Sequence, residues 1–159
     1  MQKITPCLWF DKEAEAAAKF YVKIFKKSKI VRVVRAPADY PGGKKGCVLV
    51  VYFRLEGQDF IALNGGPFHK FTEAVSLSVD CKTQTEVDAM TRKLTAGGGK
   101  IVECSWVKDK YGLSWQVVPS IMPKMLGDRN PKKAERVFLA MSAMKKINID
   151  QIKKAYKGK

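Results

Sequence analysis

Histidine is nearly absent from this sequence, and long apolar runs are missing. His69 is the sole histidine, which excludes a histidine cluster for metal binding or a catalytic triad within one chain. The longest apolar run, residues 47–53, has seven residues, whereas a membrane-spanning helix needs about 20. The N-terminus also lacks the apolar core of a secretory signal. We therefore expect a cytoplasmic protein that does not enter a membrane.

Closely spaced cysteines are missing as well. Cys7, Cys47, Cys81 and Cys104 are far apart and form neither a Cys-x-x-Cys pair nor a zinc-ligand pattern. We interpret them as reduced thiols that pack as small apolar side chains. Stability must then come from an apolar core, and a hydrophobic content of 46% in 159 residues is sufficient for one.

Acidic residues are few compared with basic ones. Fifteen Asp and Glu stand against thirty Lys and Arg, which gives a formal net charge of +15. Such a charge attracts polyanions at low salt. However, the basic residues are scattered, and no helix-turn-helix, zinc-finger or aromatic-basic RNA-binding pattern is present. Binding of nucleic acid or another polyanion is the alternative function, and we expect it to be weak and salt-sensitive.

The first 67 residues have the pattern of one β-α-β-β-β module. Asp11 is the predicted N-cap of the helix, whose apolar residues recur every three or four positions. A loop with Pro and Gly precedes the third strand, and Glu56-Gly57 turns the chain into the fourth. The predicted elements are a strand at 3–10, a helix at 13–25 and strands at 29–35, 47–55 and 58–64.

Residues 68–120 repeat this order, and residues 121–159 form a helical extension. Thr83 and Glu86 make a capping box for the second module's helix, and Asn130 or Asp128 caps a helix in the extension. The predicted elements are strands at 73–80, 100–104, 105–108 and 113–119 and helices at 86–95, from Pro131 onward and at 149–156. This predicts an α+β protein in which two modules form cupped mixed sheets, and the cup is a natural pocket.

Several segments resemble the PhnB-like, 3-demethylubiquinone-9 3-methyltransferase-like branch of the glyoxalase/bleomycin-resistance, or vicinal-oxygen-chelate, superfamily. The resemblance extends over nearly the whole chain. Its segments are PCLWFD at 6–11, LNGGP at 63–67, FTEA at 71–74 and DKYGLSWQ at 109–116.

The resemblance implies a small-molecule pocket protein, either an isomerase, lyase or oxygenase-type enzyme or a non-catalytic binder. Metal-dependent relatives hold a divalent ion with His, Gln and Glu. Here the equivalent positions are Ile4, Glu73, Gln116 and a residue near 62–64. Glu73 and Gln116 are too few ligands for a tightly held ion, so we expect no metal cofactor.

The candidate pocket residues are aromatic or polar residues on the predicted strands and at their ends. They are Trp9, Phe53, Asn64, Glu73, Trp106 and Gln116. The aromatic residues could equally fill the core, because strand parity alone does not say which face is inward. No catalytic residue is assigned.

The methyltransferase label has no support from a cofactor motif. No strand leads through a Gly-rich turn into a helix, and Gly97-Gly98-Gly99 follows a helix instead of opening one. We also expect a homodimer, because sheet edges and an apolar stripe of Phe138, Met141, Met144 and Ile147 offer surface to a partner.

Overall fold

The protein is described by a computed structural model that covers residues 2–159. The chain divides into two compact units, one ending at Phe71 and one running from Thr72 to Lys159. We call them the first and the second unit. The sequence-based division at residues 67 and 120 stays a prediction. Within the described residues, no helix is long and apolar enough to cross a membrane.

The first unit is a four-stranded mixed sheet with one helix. Strand order is β1-β4-β3-β2, with β1 parallel to β4 and the other neighbours antiparallel. The elements are β1 (Cys7–Phe10), α1 (Ala14–Ile24), β2 (Lys29–Arg35), β3 (Val48–Leu55) and β4 (Gln58–Asn64).

Helix α1 covers one face of this sheet. Its buried residues recur at helical spacing, and Tyr21 among them is fully buried. The Tyr21 ring stacks on Phe53 of β3 at 6.3 Å between centroids, and Phe53 stacks on Phe60 of β4 at 5.4 Å. These rings form the centre of the first unit's core.

Two local features shape the other end of the sheet. Glu56 and Gly57 both have positive φ, of 46° and 90°, so they form the tight two-residue turn that suits the twist of a hairpin. This turn pairs Arg54 with Asp59 across β3 and β4. In addition, the β2–β3 register shifts between Ile30 and Arg32, which leaves Val31 in a β-bulge.

The second unit repeats the architecture and adds helices. Strand order is β5-β8-β7-β6, with β5 parallel to β8. The elements are β5 (Ser76–Cys81), α2 (Gln84–Leu94), β6 (Lys100–Ile101), β7 (Trp106–Lys108), β8 (Ser114–Pro119), α3 (Met122–Leu126), α4 (Pro131–Ser142) and α5 (Ile149–Lys157).

The C-terminal helices have a core of their own, formed by Met122, Val137, Ile147 and Ile152. The segment between α4 and α5 is tied to the β6–β7 connection, because the Cys104 and Ser105 amides donate to the Met144 and Lys145 carbonyls at 2.8 Å.

The predicted α+β class, the two modules and the helical extension are confirmed. Thr83 caps α2 and Asn130 caps α4, as expected.

Several details were wrong. Strand β1 begins at Cys7, not at residue 3, and β6 ends at Ile101, not at residue 104. Asp11 does not cap α1, whose N-cap is Glu13 without a side-chain bond. Strand β5 begins at Ser76, not at residue 73, and α3 was not predicted.

The apolar stripe predicted for the extension is not continuous. Helix α4 ends at Ser142, so Met144 lies beyond it, and Ile147 is buried at 2% exposure in the extension's core. Phe138 stays exposed, and so does its neighbour Leu139. The exposed large apolar residues of α4 are therefore this pair and not the predicted stripe.

Candidate functional site

Alternation along the strands divides the candidate residues of the first unit between two faces. Phe53 and Asn64 lie on the face covered by α1, since Phe53 stacks on Tyr21 and Asn64 contacts the first residue of α1. Trp9 and Tyr52 lie on the opposite face, which we call the far face. Only Trp9 of the three predicted residues in this unit is therefore on the far face.

Asn64 caps α1 from outside the helix, since the N-cap residue Glu13 makes no side-chain bond to it. Asn64 Oδ1 accepts from the Ala14 amide at 2.8 Å, and its Nδ2 donates to the Val48 carbonyl at 2.9 Å. The residue is 5% exposed, and both ends of its amide are paired inside the protein. Asn64 thus joins β4 to α1 and to the start of β3.

The two glycines that follow Asn64 position Trp9. A Cβ on Gly65 would lie 2.2 Å from the Trp9 ring, so only glycine lets the indole pack there. Trp9 Nε1 donates to the Gly66 carbonyl at 2.8 Å, and His69 makes an edge contact with the indole at 4.7 Å. The LNGGP segment therefore holds the end of β4, α1 and Trp9 together.

A cleft of about 340 Å³ lies at the bulged end of the first sheet. This volume is within the range of small-molecule sites. Phe53 was a predicted pocket residue and borders the cleft, although its ring is packed in the core under α1. The sequence reading missed the other lining residues. The cleft is lined by Val31, Arg32, Tyr52, Phe53, Arg54, Asp59 and Phe60.

Arg54 and Asp59 form an ion pair at this cleft. Arg54 Nε donates to Asp59 Oδ1 at 2.7 Å, and Asp59 is only 8% exposed. The hydrogen bond from Arg54 lowers the pKa of Asp59, and the same bond raises the pKa of Arg54. Both groups therefore stay charged at neutral pH, and their charges compensate each other.

The second unit places Trp106 and Gln116 side by side. They are register partners on β7 and β8, and both are half-buried. Gln116 Nε2 donates to Ser76 Oγ on β5 at 2.8 Å. These two predicted residues thus share one face of the second sheet, together with a serine hydroxyl.

Trp115 points to the other face and is almost fully buried. Its Nε1 donates to Asp109 Oδ2 at 2.9 Å, while Asp109 Oδ1 accepts from the Tyr111 and Leu113 amides. Asp109 itself is 3% exposed. The DKYGLSWQ segment is therefore a turn organised by one buried carboxylate.

Cys7 and Cys81 supply no activated nucleophile to these surfaces. All four are free thiols, and burial raises the pKa of Cys81 to about 11. The pKa of Cys7 is also raised by burial. A raised thiol pKa leaves the reactive thiolate sparsely populated at neutral pH.

Residues 2–118 match the model of the family described as 3-demethylubiquinone-9 3-methyltransferase. The chain belongs to this family. A Bacillus cereus structure described as a putative 3-demethylubiquinone-9 3-methyltransferase, PhnB protein, is 39% identical, with a TM-score of 0.66 over 75% of this chain and 100% of that one. Protein PA1353 from Pseudomonas aeruginosa shares the fold, with 16% identity and a TM-score of 0.60 over 75% of this chain and 98% of that one. No curated protein matches the sequence significantly.

The two modules share the fold of the Bacillus cereus PhnB protein. The match to the family model ends at residue 118, before α3. The helical extension thus lies outside the matched range, although the sequence reading extended the resemblance over it.

The family's name implies methyl transfer, but the residues do not fit a nucleoside cofactor of the usual kind. Such cofactors rest on a Gly-rich turn that opens a helix. Gly97-Gly98-Gly99 instead lies between the end of α2 at Leu94 and the start of β6 at Lys100. We derive no methyl-transfer step for this chain.

The residues also do not fit the divalent metal site of the superfamily. Glu73 precedes β5 and forms an ion pair with Lys108, which lowers the pKa of the Glu73 carboxyl. Gln116 is engaged with Ser76. Across residues 2–159, no three His, Cys, Asp or Glu side chains are grouped as metal ligands. The one carboxylate that could bind a metal ion here is that of Glu73, and the Lys108 ammonium is already paired with it.

Proposed function

We propose that this family member binds a small apolar molecule in the cleft of the first sheet. The observation that carries the proposal is the cleft itself, which combines the apolar side chains of Val31 and Tyr52 with a few charged groups. Small-molecule sites have this composition, with apolar walls and sparse polar groups that orient the ligand.

We infer binding without metal-dependent catalysis. The lining holds an Arg–Asp ion pair and a further Arg, but no thiol, imidazole or free carboxylate that could act as nucleophile or base. An isomerase, lyase or oxygenase activity would need a reactive group from elsewhere. Trp9, Trp106 and Gln116 remain the proposed contact residues outside the cleft, and Asn64 supports the first unit from the helix side.

A homodimer is part of the proposal. Phe138 is 54% exposed and Leu139 is 60% exposed on α4, which is unusual for large apolar side chains. The outer strands of each sheet also leave backbone groups for a partner. We place the protein in the cytoplasm, in keeping with its four free thiols.

The net charge of +15 favours a second candidate, binding of nucleic acid or another polyanion. We expect this association to be non-specific, because charge alone neutralises phosphates without reading bases. It should fall steeply as salt rises. Small-molecule binding in an apolar cleft depends far less on ionic strength.

The cleft can be tested with cinnamamide, a neutral aromatic probe, in isothermal titration calorimetry. A fragment of this size should bind with a Kd of about 1 mM or tighter if the cleft receives it. Val31→Trp places an indole in the cleft and should weaken binding by at least about tenfold. Val75→Trp is the control, because Val75 is 69% exposed and lies in the second unit. Equal binding by both variants would reject the cleft as the site.

A further inference from the structure

The charges around the cleft indicate which ligand it takes. We propose that the cleft binds small aromatic or branched apolar carboxylates, with Arg32 as the carboxylate-binding residue. This inference rests on the proposed function and adds the chemical class of the ligand. It follows from the pairing of the three charged residues that line the cleft.

Only one of these three charges is left uncompensated. Arg54 and Asp59 are joined by the 2.7 Å hydrogen bond and cancel in net charge. The hydrogen bond from Arg54 lowers the pKa of Asp59, so the carboxylate stays ionised near neutral pH. Arg32 is exposed and has no ion-pair partner among the residues described. The cleft therefore carries a net charge of one positive unit, and Arg32 supplies it.

The β-bulge brings this cation next to apolar surface. Arg32 pairs in register with Tyr52, so both side chains are on the far face, and Val31 occupies the bulge beside them. A ligand with an apolar body can contact Tyr52 and Val31 while its anionic end reaches Arg32.

The shape of the guanidinium group of Arg32 favours one class of anion, the carboxylates. The group is planar and donates two parallel N–H bonds that match the two oxygens of a carboxylate. Among the lining residues, a highly charged ligand such as a nucleotide would meet only one unpaired cation, together with the Asp59 carboxylate. One cation and a volume of about 340 Å³ therefore suit a small monocarboxylate.

The test compares cinnamate with cinnamamide, which has the same shape without the charge. Titrations at ~150 mM salt limit the general attraction of anions to a basic protein. We expect wild type to bind cinnamate at least about tenfold more tightly than cinnamamide. Arg32→Gln should abolish this preference, and Arg32→Lys should keep only part of it, because lysine lacks the planar fork.

Lys29→Gln is the matched control. Lys29 is an exposed cation on the same strand but does not line the cleft, so its loss lowers the net charge equally. This variant should keep the full preference for cinnamate. If Lys29→Gln and Arg32→Gln reduce the preference alike, the preference comes from net charge and the assignment of Arg32 is wrong.

The remaining outcomes separate the two proposals. If cinnamamide binds and Val31→Trp blocks it, but cinnamate binds no more tightly, the carboxylate inference fails and the cleft stays a binding site. If neither probe binds at about 10 mM, where a millimolar site would be mostly filled, both the inference and the proposed function fail.

Discussion

Replacing Asp109 by alanine is expected to lower the free energy of unfolding by about 3–4 kcal/mol. The carboxylate accepts from the Tyr111 amide, the Leu113 amide and the Trp115 indole N–H, and it is 3% exposed. Removing it takes away the acceptor of three hydrogen bonds in a largely buried turn, which costs more than the loss of one exposed bond. Urea unfolding followed by far-UV circular dichroism measures the change.

Asp150→Ala is the control for Asp109→Ala. Asp150 is an exposed residue in the first turn of α5, where its charge contributes under about 1 kcal/mol. Asp109→Asn separates the bonds to the turn amides from the bond to the indole. The asparagine side chain has a single oxygen, so it can accept from the turn amides or from the Trp115 indole N–H, but not from both. A loss for Asp109→Ala no larger than that for Asp150→Ala would show that the turn does not depend on this carboxylate.

Replacing Asn64 by alanine should cost about 2–3 kcal/mol, because two buried backbone groups lose their partner. The affected groups are the Ala14 N–H and the Val48 carbonyl. Asn64→Asp keeps the acceptor for Ala14 but loses the donor to Val48, so it should be less stable than wild type. Urea unfolding of wild type, Asn64→Asp and Asn64→Ala measures the order of their stabilities.

Asn130→Ala is the control variant for Asn64→Ala, and the free energies of unfolding of the two are compared. Asn130 caps α4 through the Lys132 and Lys133 amides, and those bonds are exposed. An exposed cap of this kind contributes about 1 kcal/mol. If Asn64→Ala is no more destabilising than Asn130→Ala, the amide of Asn64 is not the link between β4 and α1.

The sequence predicted features whose signals are local. The caps at Thr83 and Asn130 act on amides two or three residues away, so the pattern alone located them. The cap of α1 is different, because Asn64 reaches Ala14 across 50 residues of sequence. The local pattern instead favours Asp11 as the N-cap, because this residue lies just before the helix in sequence. A capping residue that is distant in sequence cannot be predicted from the local pattern around the helix.

The cleft was missed for a similar reason. The bulge at Val31 depends on how β2 pairs with β3, and the sequence of β2 does not show it. One signal was available: the two-residue turn at Glu56-Gly57 places Arg54 opposite Asp59 in any regular hairpin. Charges of opposite sign at those positions predict a cross-strand ion pair.

The glycines of the LNGGP segment show what the resemblance could and could not supply. The resemblance identified the family correctly, whereas the place of Asn64 at the end of a predicted apolar strand made it a candidate pocket residue. In the structure, Gly65 makes room for the Trp9 indole and Asn64 caps α1. A motif that marks a family can therefore reflect the packing of its fold.

The central claim is that a small molecule occupies the β2–β4 cleft. Amide chemical-shift mapping of the ¹⁵N-labelled protein during a cinnamate titration tests it most directly. Binding in the cleft should give saturable amide shifts that cluster at five lining residues, namely Val31, Arg32, Tyr52, Arg54 and Asp59. Shifts confined to the lysine-rich helices α4 and α5, or no shifts in β2–β4 at saturating cinnamate, would contradict it.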